Sequence, residues 1–340
     1  MKGWKSIFFT LLSAFFVWLF LRRVDFPSLL ATWRTLPWQA PLLFALLMAP
    51  QYALRALRGG VLLRPFKPAI PFRSLWNFSL IGFLISYVLP GRLGEVVRPL
   101  LLAEKEGIKK SQAIATIVNE RLLDLLTILV LFAGYLLAAA GAPSPLLGRL
   151  RAAALWLLPL VFAAFLLIFL ANHPRVFPWT ERLLRGGTRL LPRRWREPAA
   201  GFLLHFIRAL RLDLSAPALA TVSLLSLLHW GLIAFSYWLL LNAFAAGIAP
   251  AQVIPFLAVI FVSAAVPTPG MAGSLDLAAA YALSGLYGMD GRTAAAFTLL
   301  FHFLVLAVPI ALGLAALWRE GLSFRILGRL RGDDELPAMR

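Results

Sequence analysis

The chain has 340 residues, of which 61% are hydrophobic and only 14% charged. Soluble domains carry about a quarter of charged residues, so a soluble enzyme is excluded and the function belongs inside a bilayer. Cysteine is absent, which removes disulfides, thiol chemistry and cysteine metal sites. The net charge of +18 would ordinarily point to nucleic acid. Here the arginines lie between apolar runs, where the loop-charge asymmetry of membrane proteins accounts for them, and nucleic acid is not an expected partner.

At the N-terminus, Lys2 and Lys5 accompany an apolar run, Trp4–Phe20, followed by Leu21-Arg22-Arg23. No small-x-small cleavage site follows, so this is a first transmembrane span or an uncleaved anchor. Crossing the hydrocarbon core takes about 20 apolar residues. Further full spans are expected at Ala40–Leu57, Ala113–Ala139, Ala152–Ala171, Pro217–Phe244 and Ala294–Leu317. Two more apolar segments, 74–103 and 252–287, are interrupted by Pro-Gly, and their halves are short for crossing alone. Each is read as a re-entrant or broken helix hairpin. The expectation is an all-α polytopic membrane protein, with about six full transmembrane helices and two hairpins. Residues 1–318 form a single integral membrane domain, and 319–340 a cytoplasmic tail.

Basic residues fix the orientation. They cluster at Lys2 and Lys5, at Arg55, Arg58, Arg64, Lys67 and Arg73, along 175–211, and in the tail from Arg319. All four groups fall on one side, which places both termini in the cytoplasm. The opposing loops, 141–149 and 245–250, carry only Arg149; the first external loop, with Arg22, Arg23 and Arg34, departs from the rule. Segment 175–213 mixes Arg with Leu, Phe and Trp, as an interfacial amphipathic helix on anionic lipid would.

The interrupted segments resemble each other. One reads Pro90-Gly91-Arg92-Leu93-Gly94-Glu95, the other Pro269-Gly270-Met271-Ala272-Gly273-Ser274-Leu275-Asp276. Each is Pro-Gly-x-x-Gly followed by an acid, and each precedes a long helix. With the topology above, the first hairpin enters from the cytoplasm and the second from outside. That is the pattern of inverted repeats, here about 72–140 and 250–318, whose broken helices meet at a midplane substrate site. Breaks at Pro90, Gly91, Gly94, Pro269, Gly270 and Gly273 would expose backbone groups, tolerable only where they line a polar cavity. A restarting helix can also offer its N-terminus to a phosphate.

The span from Ala113 contains Asn119, Glu120, Arg121 and Asp124, about 10–16 Å from its start at ~1.5 Å per residue. Such groups cost roughly 2.5–3.5 kcal/mol each in lipid, so they face protein or water. Glu120 and Asp124 share one helical face, as do Glu95 and Arg98. Two compatible readings follow. One is a structural ion-pair network joining Arg98 to Glu120 or Asp124. The other is a polar cavity in which Arg98 and Arg121 hold a phosphate and the carboxylates receive amine or sugar groups, with Asp276 as the matching acid of the second repeat. The four histidines have no metal-ligand spacing, so neither a metal nor a cofactor is expected. His229 and His302 lie within spans, where helix-packing hydrogen bonds are the ordinary role. A Ser274–Asp276–His302 triad can be drawn, but Ser274 lacks a nucleophile-elbow context and no catalytic residue is assigned.

Three ordered motifs carry a family resemblance: Pro90 to Pro99, the Asn-Glu-Arg-Leu-Leu-Asp-Leu-Leu run at 119–126, and Pro-Thr-Pro-Gly-x-x-Gly at 267–273. Over roughly 4–318 the chain resembles the lysylphosphatidylglycerol synthase transmembrane region family, which is flippase-like. The resemblance matches Arg92, Glu95, Arg98, Glu120, Arg121 and Asp124 to the family's polar positions. Met271, Asp276 and His302 depart from its usual glycine, glutamate and arginine. In bifunctional members a soluble synthase domain follows; here the stretch after Leu317 is too short for one, which implies a stand-alone, transporter-like module. The resemblance implies a lipid translocase in a bacterial or archaeal cell membrane. Its partners would be membrane lipids and, as a further candidate, a separate lipid-modifying enzyme. Its substrate would be an aminoacylated or anionic phospholipid, or a polyprenyl-phosphate lipid. The alternative is a membrane-embedded transferase or accessory subunit acting on such lipids.

Overall fold

The computed structural model describes residues 26–88, 93–138, 145–171, 173, 175–188, 192–210, 214–264, 266 and 268–322. The first expected span, Trp4–Phe20, lies outside these residues, as do Pro90, Gly91 and Arg92. Among the described residues there are twelve α-helices and no strand. In chain order they are α1 (Phe26–Thr35), α2 (Gln39–Leu63), α3 (Phe72–Val88), α4 (Gly94–Glu106), α5 (Lys110–Ala138), α6 (Pro145–Ala171), α7 (Phe177–Thr188), α8 (Arg193–Leu210), α9 (Ala216–Phe244), α10 (Val253–Ser263), α11 (Ser274–Tyr287) and α12 (Gly291–Arg319).

The long helices fall where the apolar runs required them. Among the described residues α2, α9 and α12 are each long and apolar enough to cross a membrane. Leu46, Leu227 and Phe303 stand exposed on these helices, which suits a surface solvated by acyl chains rather than water. The protein is an all-α integral membrane protein.

Both interrupted segments are hairpins: α3 with α4, and α10 with α11. At ~1.5 Å per residue, the 17-residue α3 spans about 26 Å and the 11-residue α10 about 17 Å, short of a full crossing. The first closes tightly because Gly82 and Gly94 are glycines. A Cβ on Gly94 would overlap the Gly82 carbonyl oxygen, and one on Gly82 would come within 2.7 Å of the Arg98 Cβ. Gly107 and Gly288, both left-handed (φ 67° and 65°), end α4 and α11.

Helix α12 threads between the hairpins and packs on both α3 and α11. At its C-terminal end, Glu320 accepts a 2.6 Å hydrogen bond from Asn77 and lies 3.7 Å from Lys105, while Lys67 binds Glu106 at 2.6 Å. At its N-terminal end, the Tyr287 hydroxyl donates to the Gln252 carbonyl (3.0 Å), closing the mouth of the second hairpin. The hairpins therefore open toward opposite ends of the bundle. Two apolar cores hold them. One, rich in aromatics, gathers Phe44, Phe256, Phe297 and Phe301; the other gathers Phe78, Ile81, Leu84, Leu101 and Leu317.

Three details differ from the sequence reading. The connection 175–213 holds two helices, α7 and α8, packed against each other, where the sequence named one. The segment between the first two expected spans contains a helix, α1, whose Trp33 indole donates to the Ala296 carbonyl at 2.9 Å. Most consequential, Arg55 and Arg58 are not loop charges. Helix α2 continues to Leu63, burying both inside the bundle.

Candidate functional site

Seven charged side chains from three helices meet at the first hairpin. Helix α2 brings Arg55 and Arg58, α4 brings Glu95 and Arg98, and α5 brings Glu120, Arg121 and Asp124. Spacings of three and four residues set each pair on one helical face.

Arg98 holds Glu120 in a two-pronged bond, Nη1 to Oε2 at 3.2 Å and Nη2 to Oε1 at 2.8 Å. Glu120 has no exposed surface, and a second cation, Arg55, places its Nε 3.7 Å from Oε2. The carboxylate fits there because residue 59 is glycine: a Cβ would stand 2.9 Å from Oε1. Asp124, equally buried, receives Arg58 at 2.7 Å and the Trp230 indole at 3.1 Å. Arg58 also donates to Ser226 (3.1 Å). Arg121 donates to Glu95 at 2.9 Å and lies 3.8 Å from Asp124. Of the two pairings the sequence left open for Arg98, the structure forms the one with Glu120; Asp124 goes to an arginine the sequence had assigned to a loop.

The cluster borders a cavity of about 490 Å³. Arg55, Glu95, Arg98 and Arg121 line it, facing aromatic side chains that include Tyr52, Phe83, Tyr87 and Tyr237. Asn119, Glu120, Asp124 and Asp276 are not among the described lining residues. Asn119 instead donates to the Ala209 carbonyl at 3.3 Å, tying α5 to α8. His229 lines the cavity while its Nδ1 meets the Gln51 carbonyl at 3.0 Å.

Arg55 is the residue the sequence missed that most changes the picture. Only 7% of it is exposed, its guanidinium stacks 5.0 Å above the Phe83 ring, and its Nε and Nη2 have no hydrogen-bond partner among the described residues. A buried guanidinium left short of acceptors is costly unless an anion completes it. Among the described residues the seven groups total four cations and three anions, a formal charge of +1.

The second hairpin reaches the same cavity through Met271 and Leu275. Its break is a tight turn, Pro269–Met271, with Gly270 and Met271 both left-handed (φ 58° and 56°). Asp276 Oδ2 accepts from the Gly273 amide (2.8 Å), and Oδ1 lies 2.6 Å from His302 Nδ1. His302 Nε2 in turn meets the Gly270 carbonyl at 2.9 Å. Ser274 bonds to Thr268 (2.9 Å) and to the Met271 carbonyl (3.2 Å). The Ser274–Asp276–His302 triad therefore does not assemble: His302 does meet Asp276, but its other ring nitrogen meets the Gly270 carbonyl and not the Ser274 hydroxyl.

A family model described as "Lysylphosphatidylglycerol synthase TM region" matches residues 6–313. No curated protein and no solved structure matches the chain.

Proposed function

From the premise that this chain belongs to the lysylphosphatidylglycerol synthase TM region family, we propose that it is a flippase-like lipid translocase. In this reading the cavity takes the phosphate-bearing head group of an aminoacylated or anionic phospholipid, or of a polyprenyl-phosphate lipid. Acyl chains stay in the bilayer. The observation that carries the reading is Arg55: a buried guanidinium in the wall of an apolar cavity, with two N–H-bearing nitrogens unmatched among the described residues.

Arg55, with the half-exposed Arg121, forms the phosphate contact. Arg98 and Arg58 act behind it, holding Glu120 and Asp124 so that the arginines keep their places. Glu95, about one-third exposed and bonded to Arg121, is the carboxylate placed to receive an amine or sugar hydroxyl. The hairpins open at opposite ends and both touch the cavity, as alternating access from two leaflets by inverted repeats requires. The cell membrane is the proposed location, and the cytoplasmic face the proposed side of both termini, with Arg64, Lys67 and Arg73 still on it after Arg55 and Arg58 are withdrawn from the count. A transferase reading would need a free carboxylate as base. Glu120 and Asp124 have no exposed surface and each is held by an arginine, which argues against it.

The test is reconstitution in liposomes with head-group-labelled lipids, following conversion between protected and exposed leaflets. Wild type should accelerate conversion of at least one phosphate-bearing lipid, and Arg55→Gln should lose that acceleration while remaining folded. Absence of acceleration by wild type across anionic, aminoacylated and polyprenyl-phosphate lipids would overturn the proposal.

A further inference from the structure

His302 has no role in the phosphate contact, yet both of its ring nitrogens are bonded to the second hairpin. It sits on α12, 9% exposed, between two acceptors. Asp276 Oδ1 lies 2.6 Å from Nδ1 and the Gly270 carbonyl 2.9 Å from Nε2. A carbonyl oxygen can only accept, so Nε2 carries a proton. The contact at Nδ1 needs a second proton, shared between ring and carboxylate. The His302–Asp276 pair as built thus holds one proton more than a neutral imidazole beside a carboxylate.

Losing that proton leaves one N–H facing two acceptors. The charge-assisted bond to Asp276 is the stronger and keeps it. Nε2 then turns a lone pair on the Gly270 carbonyl, and the bond holding the turn is replaced by repulsion. That turn is primed to move. Gly270 and Met271 are both left-handed, a conformation that strains a residue with a side chain such as Met271. Met271 faces the cavity, and a Cβ on Gly270 would lie 3.6 Å from the Tyr87 carbonyl, so movement of the turn reaches both the cavity wall and the end of α3.

We propose that the His302–Asp276 pair is a proton-binding site whose occupancy latches the Pro269–Met271 turn, coupling one proton to the shape of the cavity. This goes beyond the translocase reading and holds whatever ligand the cavity takes. The chemistry is a single reversible transfer: the Nε2 proton passes to water, and the proton between Nδ1 and Oδ1 stays on the Asp276 side. The elements packed against α12 carry few competitors. They offer Arg34 on α1, Tyr52, Arg55 and Arg58 on α2, Arg73 and Tyr87 on α3, His229 and Tyr237 on α9, and Tyr281 and Tyr287 on α11. Asp276 alone among the described ionisable side chains is within hydrogen-bond distance of the His302 ring.

The chain lacks cysteine, so Met271→Cys gives a single attachment point for a trifluoromethyl label read by ¹⁹F NMR in lipid nanodiscs. The His302 ring ¹⁵N signals of the unlabelled chain, assigned by their loss in His302→Gln, are followed in parallel. Between about pH 5 and 9, where a histidine is expected to titrate, both signals should shift together as one transition, most of it within about two pH units. His302→Arg, permanently charged and able to bridge the same acceptors, should hold the label in its low-pH state throughout. His302→Gln should hold it in the high-pH state. A His302 ring that does not titrate in this range overturns the proposal, as does a label response that persists in both variants. Neither readout depends on lipid movement, so failure here is distinguishable from failure of the translocase reading.

Discussion

Removing Arg98 should cost the protein stability through Glu120. Arg98 supplies both hydrogen bonds that the Glu120 carboxylate receives, at 2.8 and 3.2 Å, and Glu120 has no exposed surface. In Arg98→Ala the nearest cation left is Arg55, whose Nε stands 3.7 Å from Oε2. Breaking a buried pair from one side costs about 3–5 kcal/mol, and residual attraction to Arg55 sets the expectation near the lower figure, about 3 kcal/mol. At about 2 °C per kcal/mol for a chain of this size, the midpoint should fall by about 6 °C. Replacing both partners with methionine removes the stranded charge and should restore most of the loss. The assay is thermal unfolding in detergent micelles, followed by tryptophan fluorescence for wild type, Arg98→Ala, Arg98→Met, Glu120→Met and Arg98→Met/Glu120→Met. An Arg98→Ala midpoint within about 1 °C of wild type would refute the reasoning. So would a double variant that falls by the sum of the single ones, since the pair would then not be coupled.

Other outcomes follow from the packing. Gly94→Ala drives a methyl into the Gly82 carbonyl and should abolish folded yield, whereas Gly134→Ala, on α5 with open space around it, should stay within about 1 kcal/mol of wild type; gel-filtration recovery compares them. Asp290→Ala removes the cap of α12, where the carboxylate accepts from the Arg292 and Thr293 amides (2.9 and 3.1 Å), and should cost about 1 kcal/mol by thermal unfolding. The Thr293 side-chain hydrogen bond, then the Thr293 backbone amide, hold the Asp290 carboxyl below its usual range. Its contribution is therefore present above the unfolded value near ~3.9 and lost as pH falls through the lower folded value, so the Asp290→Ala deficit should vanish in acid.

The spans and hairpins were legible because bilayer thickness fixes a length that apolar runs must meet, and Pro-Gly marks where a run cannot continue as helix. Glu120 and Asp124 were legible because ionised groups in a span require partners. Arg55 and Arg58 were not, because they sit near the end of an apolar run where basic residues ordinarily signal a loop. One clue pointed the other way: the apolar residues resume at Val61–Leu63, so the helix had reason to continue. The Asp276–His302 contact was drawn from the sequence only as part of a triad; spacing could not establish it, since 26 residues and a helical turn-around separate the two and the packing of α11 on α12 brings them together.

The account rests on an anion completing Arg55, and the most direct test is equilibrium binding by the purified protein in detergent. Short-chain anionic phospholipid would be titrated into wild type and Arg55→Gln, with a phosphate-free glycolipid of equal chain length as the control. Saturable binding of the phospholipid alone, weakened at least about tenfold in a folded Arg55→Gln, is the predicted result; that ratio corresponds to about 1.4 kcal/mol, the scale of a charge-assisted hydrogen bond. Equal affinity in wild type and Arg55→Gln, or equal binding of the phosphate-free control, would contradict it.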